Sequence, residues 1–391
     1  MKTRFYVIAA LLLFSINSAH AELIVEKQSF TMADYVTVGG ETITEVTVGW
    51  EAYGELNAAK DNVILITHFF SGNSHAAGKY AETDPLPGYW DSIIGPGKAI
   101  DTNKYYVVSS DTLVNAFPGD PNVITTGPKS INPETGKPYG LDFPVVTIRD
   151  FVNVQKALLD SLGIDKLHAV VGASMGSLQA IEWAAAYPDS VERMVSVIGT
   201  GAMDAWTIMA LEHWARPIKA DPNWNQGDYY SGDAPLTGVT STLAMITQQA
   251  MHPTIMNMQA PKQDVLPKAG LDSVLTELPA VRYLFGAAAS RAPLADANHL
   301  LYLVRANQLF VAGHDENLAK GLSKITAKTL FLPATNDLLL QPYLAKQTVA
   351  ILEEQGKEPQ YEEIQGIWGH LDGIFSIPTK AETLKTFIDS E

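Results

Sequence analysis

Apolar positions along the chain fall into two rhythms. Short runs rich in β-branched residues read as strands: Glu45–Tyr53 alternates around Val46, Val48 and Trp50, and Asn62–Thr67 is almost continuously apolar. Tyr105–Ser109, His168–Val171, Met194–Ile198 and Thr329–Leu332 follow. Continuous apolar runs of this length suit parallel strands buried on both faces. Between them, Arg149–Leu162 puts Phe151, Val152, Val154, Ala157, Leu158 and Leu162 on one helical face. Ser177–Tyr187 predicts a second helix, stopped by Pro188. Such alternation predicts an α/β protein with a mostly parallel sheet.

From residue 201 to 313 the strand signals fade. Helical patterns at Ala202–Trp214, Thr242–Met251, Leu271–Phe285 and Ala297–Phe310 are separated by turn-rich links over Asp221–Asp233 and His252–Gly270. The sheet pattern resumes at Thr329, so residues 201–313 read as a helical cap inserted into one core, formed by residues 22–200 and 314–391. At the start, Lys2 and Arg4 precede the apolar run Val7–Phe14, and Ala19-His20-Ala21 offers small residues at the two cleavage-determining positions. This layout predicts a signal peptide over residues 1–21, cut before Glu22. The apolar run falls short of the roughly 20 residues that span a bilayer. The expectation is a periplasmic or secreted protein without stable membrane insertion.

Composition narrows the chemistry. The 391 residues include no cysteine, which removes disulfides, a thiol nucleophile and Cys-ligated metals. With 43 acidic and 27 basic side chains the formal charge is −16, or −18 once residues 1–21 are lost. That balance argues against nucleic acid as a partner, because its binding rests on neutralising phosphates. No metal-ligand spacing such as H-E-x-x-H is present and no organic cofactor motif is visible, so no cofactor is expected.

One motif carries nucleophilic chemistry. Gly172-Ala173-Ser174-Met175-Gly176 matches G-x-S-x-G, and it stands between an apolar strand and a helix containing small residues. Strand, tight turn and helix are the context of a nucleophile elbow, which predicts the α/β-hydrolase fold with Ser174 exposed on the turn. A serine needs a base, and the base needs a carboxylate, in the chain order Ser, acid, His. His213, His252, His299 and His314 lie in or at the edge of the helical insertion. His370 instead follows the late strand pattern Gln360–Ile364 and sits in a loop before the final helix. Asp337 lies just beyond Thr329–Leu332, at the strand edge where catalytic groups gather, whereas its rivals Asp315 and Asp372 follow no strand. Two backbone N–H donors should face the developing oxyanion. Met175 supplies one, and Phe70 in His68-Phe69-Phe70-Ser71-Gly72 the other, with Phe69 as the alternative.

These residues, with His68–Gly78, Thr126–Gly140, Phe143-Pro144, Arg149-Asp150, Asp221–Asn225 and Gly227–Tyr230, resemble the homoserine O-acetyltransferases over about Val36 to Ile388. The resemblance implies an acyl-serine ping-pong mechanism on Ser174, Asp337 and His370, and a cap that can mediate a homodimer. It also implies an arginine early in the cap and an aspartate after the catalytic histidine, to hold the acceptor's carboxylate and ammonium. Here no arginine occurs between Arg216 and Arg282, and Leu371 follows His370. Desolvating a zwitterion without those partners is costly. The expected activity is therefore hydrolysis of small, acetyl-like acyl esters, with Phe69, Trp368 and Leu371 lining an apolar pocket. An O-acyltransferase using acetyl-CoA and an unidentified acceptor is the second reading, and a non-catalytic binding protein of the same fold is the third.

Overall fold

The computed structural model describes residues 23–263 and 268–390; the expected signal peptide lies outside the described residues. Eight strands form the central sheet: β1 (Gln28–Val36), β2 (Thr42–Tyr53), β3 (Val63–Thr67), β4 (Tyr106–Ser110), β5 (Ala169–Ala173), β6 (Arg193–Val197), β7 (Lys328–Leu332) and β8 (Gln360–Tyr361). Their spatial order is β1-β2-β4-β3-β5-β6-β7-β8. The β1/β2 and β2/β4 pairs are antiparallel and every other pair is parallel.

The apolar strand runs are explained by burial on both faces. Leu65, Val170 and Met194 join the core on one side, with Phe151 and Leu158 of α1 (Ile148–Ser161) and Leu178 and Ile181 of α2 (Met175–Ala186). Ile64, Val171 and Val195 point to the other side, where Trp90 and Phe387 pack. A capping box starts α1: Thr147 accepts from the Asp150 N–H while Asp150 accepts from the Thr147 N–H. Asp150 also accepts from the Tyr35 hydroxyl (2.7 Å) and the Val38 N–H (2.8 Å), which ties the β1–β2 hairpin to the core. The strand β1 escapes the hydrophobic pattern because most of its residues are exposed or half-exposed.

Among the described residues, five helices lie between Ala202 and Val311: α3 (Ala205–Ala220), α4 (Leu236–Ala250), α5 (Pro253–Gln259), α6 (Pro279–Arg291) and α7 (Ala297–Gln308). The chain enters and leaves this stretch side by side, paired at Ala202 and Val311. The helix predicted over Leu271–Phe285 begins only at Pro279. Proline at the first helical position leaves Leu278 extended (φ −74°, ψ 151°), as the residue before proline prefers. The link His252–Gly270 contains α5, also opened by a proline and capped by the His252 side chain.

Buried polar contacts dock the helices on the sheet layer. His299 of α7 is fully buried; its Nδ1 meets the Asn115 carbonyl (2.8 Å) and its Nε2 accepts from the Lys129 N–H (3.2 Å). A Cβ at Gly127 would meet that ring at 2.5 Å, so glycine is required where the 126–140 loop passes under α7. Tyr229 and Tyr230 both donate to Asp296, the N-cap of α7 (2.8 and 3.2 Å). Between Val311 and β7 comes α8 (Leu318–Ser323), after β7 comes α9 (Pro342–Glu354), and after β8 come the short α10 (Asp372–Phe375) and α11 (Ala381–Asp389).

Candidate active site

Strand register gathers the site. Ala173 pairs with Val197, which pairs with Leu332, and Gly172 pairs with Thr67. The loops after β3, β5, β6 and β7 therefore leave from one edge of the sheet, the C-terminal edge where ligands bind in open parallel sheets.

Ser174 stands on the turn between β5 and α2 with φ 57° and ψ −121°, a conformation a side chain adopts only under strain of about 1–3 kcal/mol. The turn is tight enough to require glycine on both sides. A Cβ at Gly172 would lie 2.1 Å from the Gly176 carbonyl oxygen, and one at Gly176 would lie 2.0 Å from the Thr67 carbonyl oxygen. Serine at 177 is accommodated because its hydroxyl pairs with Ser196 (2.6 Å) over Gly199, where a Cβ would meet it at 1.8 Å.

The three side chains singled out by chain order form one buried hydrogen-bonded series. Asp337 Oδ2 accepts from His370 Nδ1 at 2.6 Å, and Ser174 Oγ donates to His370 Nε2 at 2.7 Å. The other carboxylate oxygen of Asp337 accepts from the Leu339 and Leu340 N–H groups (2.8 and 2.9 Å). A carboxylate held on both oxygens fixes the imidazole with its proton on Nδ1, which frees Nε2 to accept the serine proton. Asp372 braces the loop below, accepting from the Gly369 N–H (3.1 Å), the Trp368 N–H (3.3 Å) and the Ser376 hydroxyl (2.6 Å). Asp315 pairs instead with Lys320 (3.0 Å) and Lys324 (2.7 Å), outside the site.

Around Ser174 and His370 lies a narrow cavity of about 70 Å³. Phe69, Phe70 and Leu371 line it; Trp368 does not. At Gly369 the backbone reverses (φ 72°), and Trp368 faces outward, its ring on Phe375 (4.6 Å between centroids) and its carbonyl accepting from the His252 N–H (3.1 Å). The missing wall comes from the inserted helices. Met203, Thr207, Leu211 and Trp214 repeat at helical spacing on or just before α3, and Ile246 and Ala250 of α4 join them. The pattern over Ala202–Trp214 predicts a helix; what its buried face covers depends on how α3 crosses the sheet edge, which no local pattern encodes. Phe70 meets Trp214 edge to face at 5.3 Å. Met175 is the first residue of α2, next to Ser174, so its N–H has no partner within the helix; its side chain is buried and the residue does not itself line the cavity.

A serine on a strained strand-to-helix turn, hydrogen-bonded to a histidine braced by an aspartate on this strand order, defines an α/β-hydrolase, and residues 118–272 match the family described as alpha/beta hydrolase fold. Curated relatives sharpen the assignment. Homoserine O-acetyltransferase from Methanococcoides burtonii is 38% identical over 341 residues, covering 85% of this chain and 67% of that protein. The enzyme of that name from Symbiobacterium thermophilum is 36% identical, covering 90% of this chain and 91% of its own. The chain belongs to the homoserine O-acetyltransferase family. Among solved structures, esterase E22 is 58% identical with a TM-score of 0.92, covering 94% of this chain and all of that one. Homoserine O-acetyltransferase from Bacillus anthracis is 37% identical with a TM-score of 0.91, covering 94% of this chain and 99% of that one. The protein is thus an enzyme of the hydrolase or acyltransferase kind.

Proposed function

We propose that this protein is an exported serine esterase that removes short acyl groups, with water rather than an amino acid as the final acceptor. In the first half-reaction Ser174 Oγ attacks the ester carbonyl, its proton passes to His370 Nε2, and the Met175 and Phe70 N–H groups receive the oxyanion. Collapse expels the alcohol, which takes the proton from His370 and leaves acyl-Ser174. Water then gives a proton to His370 and attacks the acyl carbon; collapse breaks the acyl–Oγ bond, His370 returns the proton to Ser174 Oγ, and the carboxylic acid leaves.

The observation that carries this reading is the cavity lining. Apart from His370 it holds no ionisable side chain; its polar members are Ser71, Thr207, Asn307 and Ser174. Arg291 reaches α4 at Thr247 (2.8 Å), yet neither residue lines the cavity. A zwitterionic acceptor would shed water there without a charged partner, which an ester of an uncharged alcohol does not have to do. The net charge of −16 further disfavours a polyanionic donor such as acetyl-CoA. Export rests on the N-terminal pattern of Lys2, Arg4 and Val7–Phe14, and would be tested by sequencing the N-terminus of protein recovered from outside the cytoplasm.

Family membership favours the second reading, an acyltransferase. Incubating the protein and Ser174→Ala with p-nitrophenyl acetate, and separately with acetyl-CoA plus homoserine, distinguishes the two. Ser174-dependent acetate release without CoA supports the esterase. CoA release that requires homoserine contradicts it, and absence of any acyl-Ser174 adduct would leave a binding protein.

A further inference from the structure

The loop after β3 presents two adjacent N–H groups, those of Phe69 and Phe70, and the structure gives a reason why only one can serve the oxyanion. The reason lies in His68, a fully buried imidazole whose ring nitrogens bond to the Phe69 carbonyl and the Thr112 N–H rather than to Ser174, Asp337 or His370.

His68 Nε2 accepts from the Thr112 N–H at 3.2 Å. Burial pushes the imidazole down to about 4, so at neutral pH it carries one proton. With Nε2 occupied as an acceptor, that proton is on Nδ1, which donates to the Phe69 carbonyl at 2.8 Å. The Gly72 N–H donates to the same oxygen at 2.9 Å. The peptide joining Phe69 to Phe70 is planar and trans, so its N–H points opposite its carbonyl. Two donors clamping that carbonyl hold the Phe70 N–H directed away from the His68 ring. The preceding peptide is pinned the other way round: the His68 carbonyl accepts from Gln179 Nε2 of α2 at 3.2 Å. The Phe69 N–H, opposite that carbonyl, is turned away from α2 and hence from the elbow that carries Ser174.

We propose that His68 is a positioning residue which, with Gly72, locks the Phe69–Phe70 peptide so that the Phe70 N–H is the second oxyanion donor. The assignment rests on the acyl-serine reading and deepens it. Preorganisation is what gives such a donor its value, because a peptide free to rotate would have to be oriented during the reaction.

The test compares His68→Leu, which has no donor for the Phe69 carbonyl, with His68→Asn, whose side-chain amide can replace Nδ1–H. Measured quantities are kcat and KM for p-nitrophenyl acetate and the affinity of a trifluoromethyl ketone, whose adduct with serine carries an oxyanion. His68→Leu should lower kcat by about 10²-fold, the effect of losing one oxyanion donor, with KM within about twofold. Ketone affinity should fall in parallel, and His68→Asn should recover most of both. If His68→Leu does not fold, His68→Gln, which keeps an acceptor for Thr112 but sets its donor one bond too far out, takes its place. A folded donor-less variant with unchanged kcat would overturn the assignment. So would a kcat loss without a matching loss of ketone affinity. Failure of the acyl-serine reading itself would be visible separately, as Ser174-independent turnover in the unsubstituted protein.

Discussion

Trp214→Ala probes the acyl cavity at its far wall. Trp214 is buried, meets Phe70 edge on, and donates from Nε1 to Gln249 at 2.8 Å. An engineered cavity of about 150 Å³ holds benzene, so by proportion the 70 Å³ beside Ser174 has room for about three carbon atoms. Each buried methylene contributes about 0.8 kcal/mol, or roughly fourfold in kcat/KM. In the unsubstituted enzyme that gain should stop near butyryl, after which longer chains meet the indole. Removing the indole opens a space larger than the present cavity, at a cost of about 3–5 kcal/mol in stability. The assay is kcat/KM for p-nitrophenyl esters from acetate to octanoate, run well below the variant's Tm. The hexanoate-to-acetate ratio should rise by about tenfold, because the two methylenes beyond butyryl would be worth roughly 15-fold if fully buried. A folded variant with an unchanged ratio would refute the idea that the space between Phe70 and Trp214 receives the acyl chain.

Other consequences concern the triad, the core and pH. Asp337→Asn should leave the protein folded but lower kcat by about 10⁴-fold, because the imidazole loses the partner that fixes its tautomer; steady-state kinetics check this. Lys27 serves two buried carboxylates, Glu51 at 3.0 Å and Asp111 at 3.4 Å. Lys27→Met should therefore cost about 3–5 kcal/mol in chemical denaturation. His68 supplies a pH signature: the unfolded imidazole takes up a proton near 6.5, but the folded one, held down mainly by burial, only near 4. The unfolded state then binds the extra proton, so stability is full above about pH 6.5 and falls by about 3 kcal/mol on the way to pH 4. Denaturation midpoints across that range should flatten in His68→Asn. The exposed apolar residues Met258, Leu271, Val274, Leu275, Val281 and Tyr283 on and around α5 and α6 favour a dimer through these helices, which light scattering would detect.

The parts legible in the sequence are those written in local pattern plus chain order. Buried parallel strands leave continuous apolar runs, so β3, β5, β6 and β7 fall within a residue or two of their predicted bounds. Ser174, Asp337 and His370 could be selected because each follows a strand that ends at the same sheet edge. What stayed hidden depends on direction rather than pattern. Trp368 and His370 are two residues apart, yet the reversal at Gly369 sends one ring outward and the other to Ser174. Trp214 and Ile246 have unremarkable helical spacing, and only the crossing of α3 and α4 over the elbow makes them cavity wall. The choice between Phe69 and Phe70 turns on which carbonyl His68 clamps, a contact between neighbouring residues that neither periodicity nor motif describes.

The central claim is that acyl-Ser174 is discharged by water. The most direct measurement acylates the enzyme with p-nitrophenyl acetate and partitions the products over a range of homoserine concentrations by mass spectrometry. Acetate should account for the product at every concentration, with p-nitrophenol release unaffected by homoserine and abolished in Ser174→Ala. O-acetylhomoserine rising with homoserine until it displaces acetate would contradict the account.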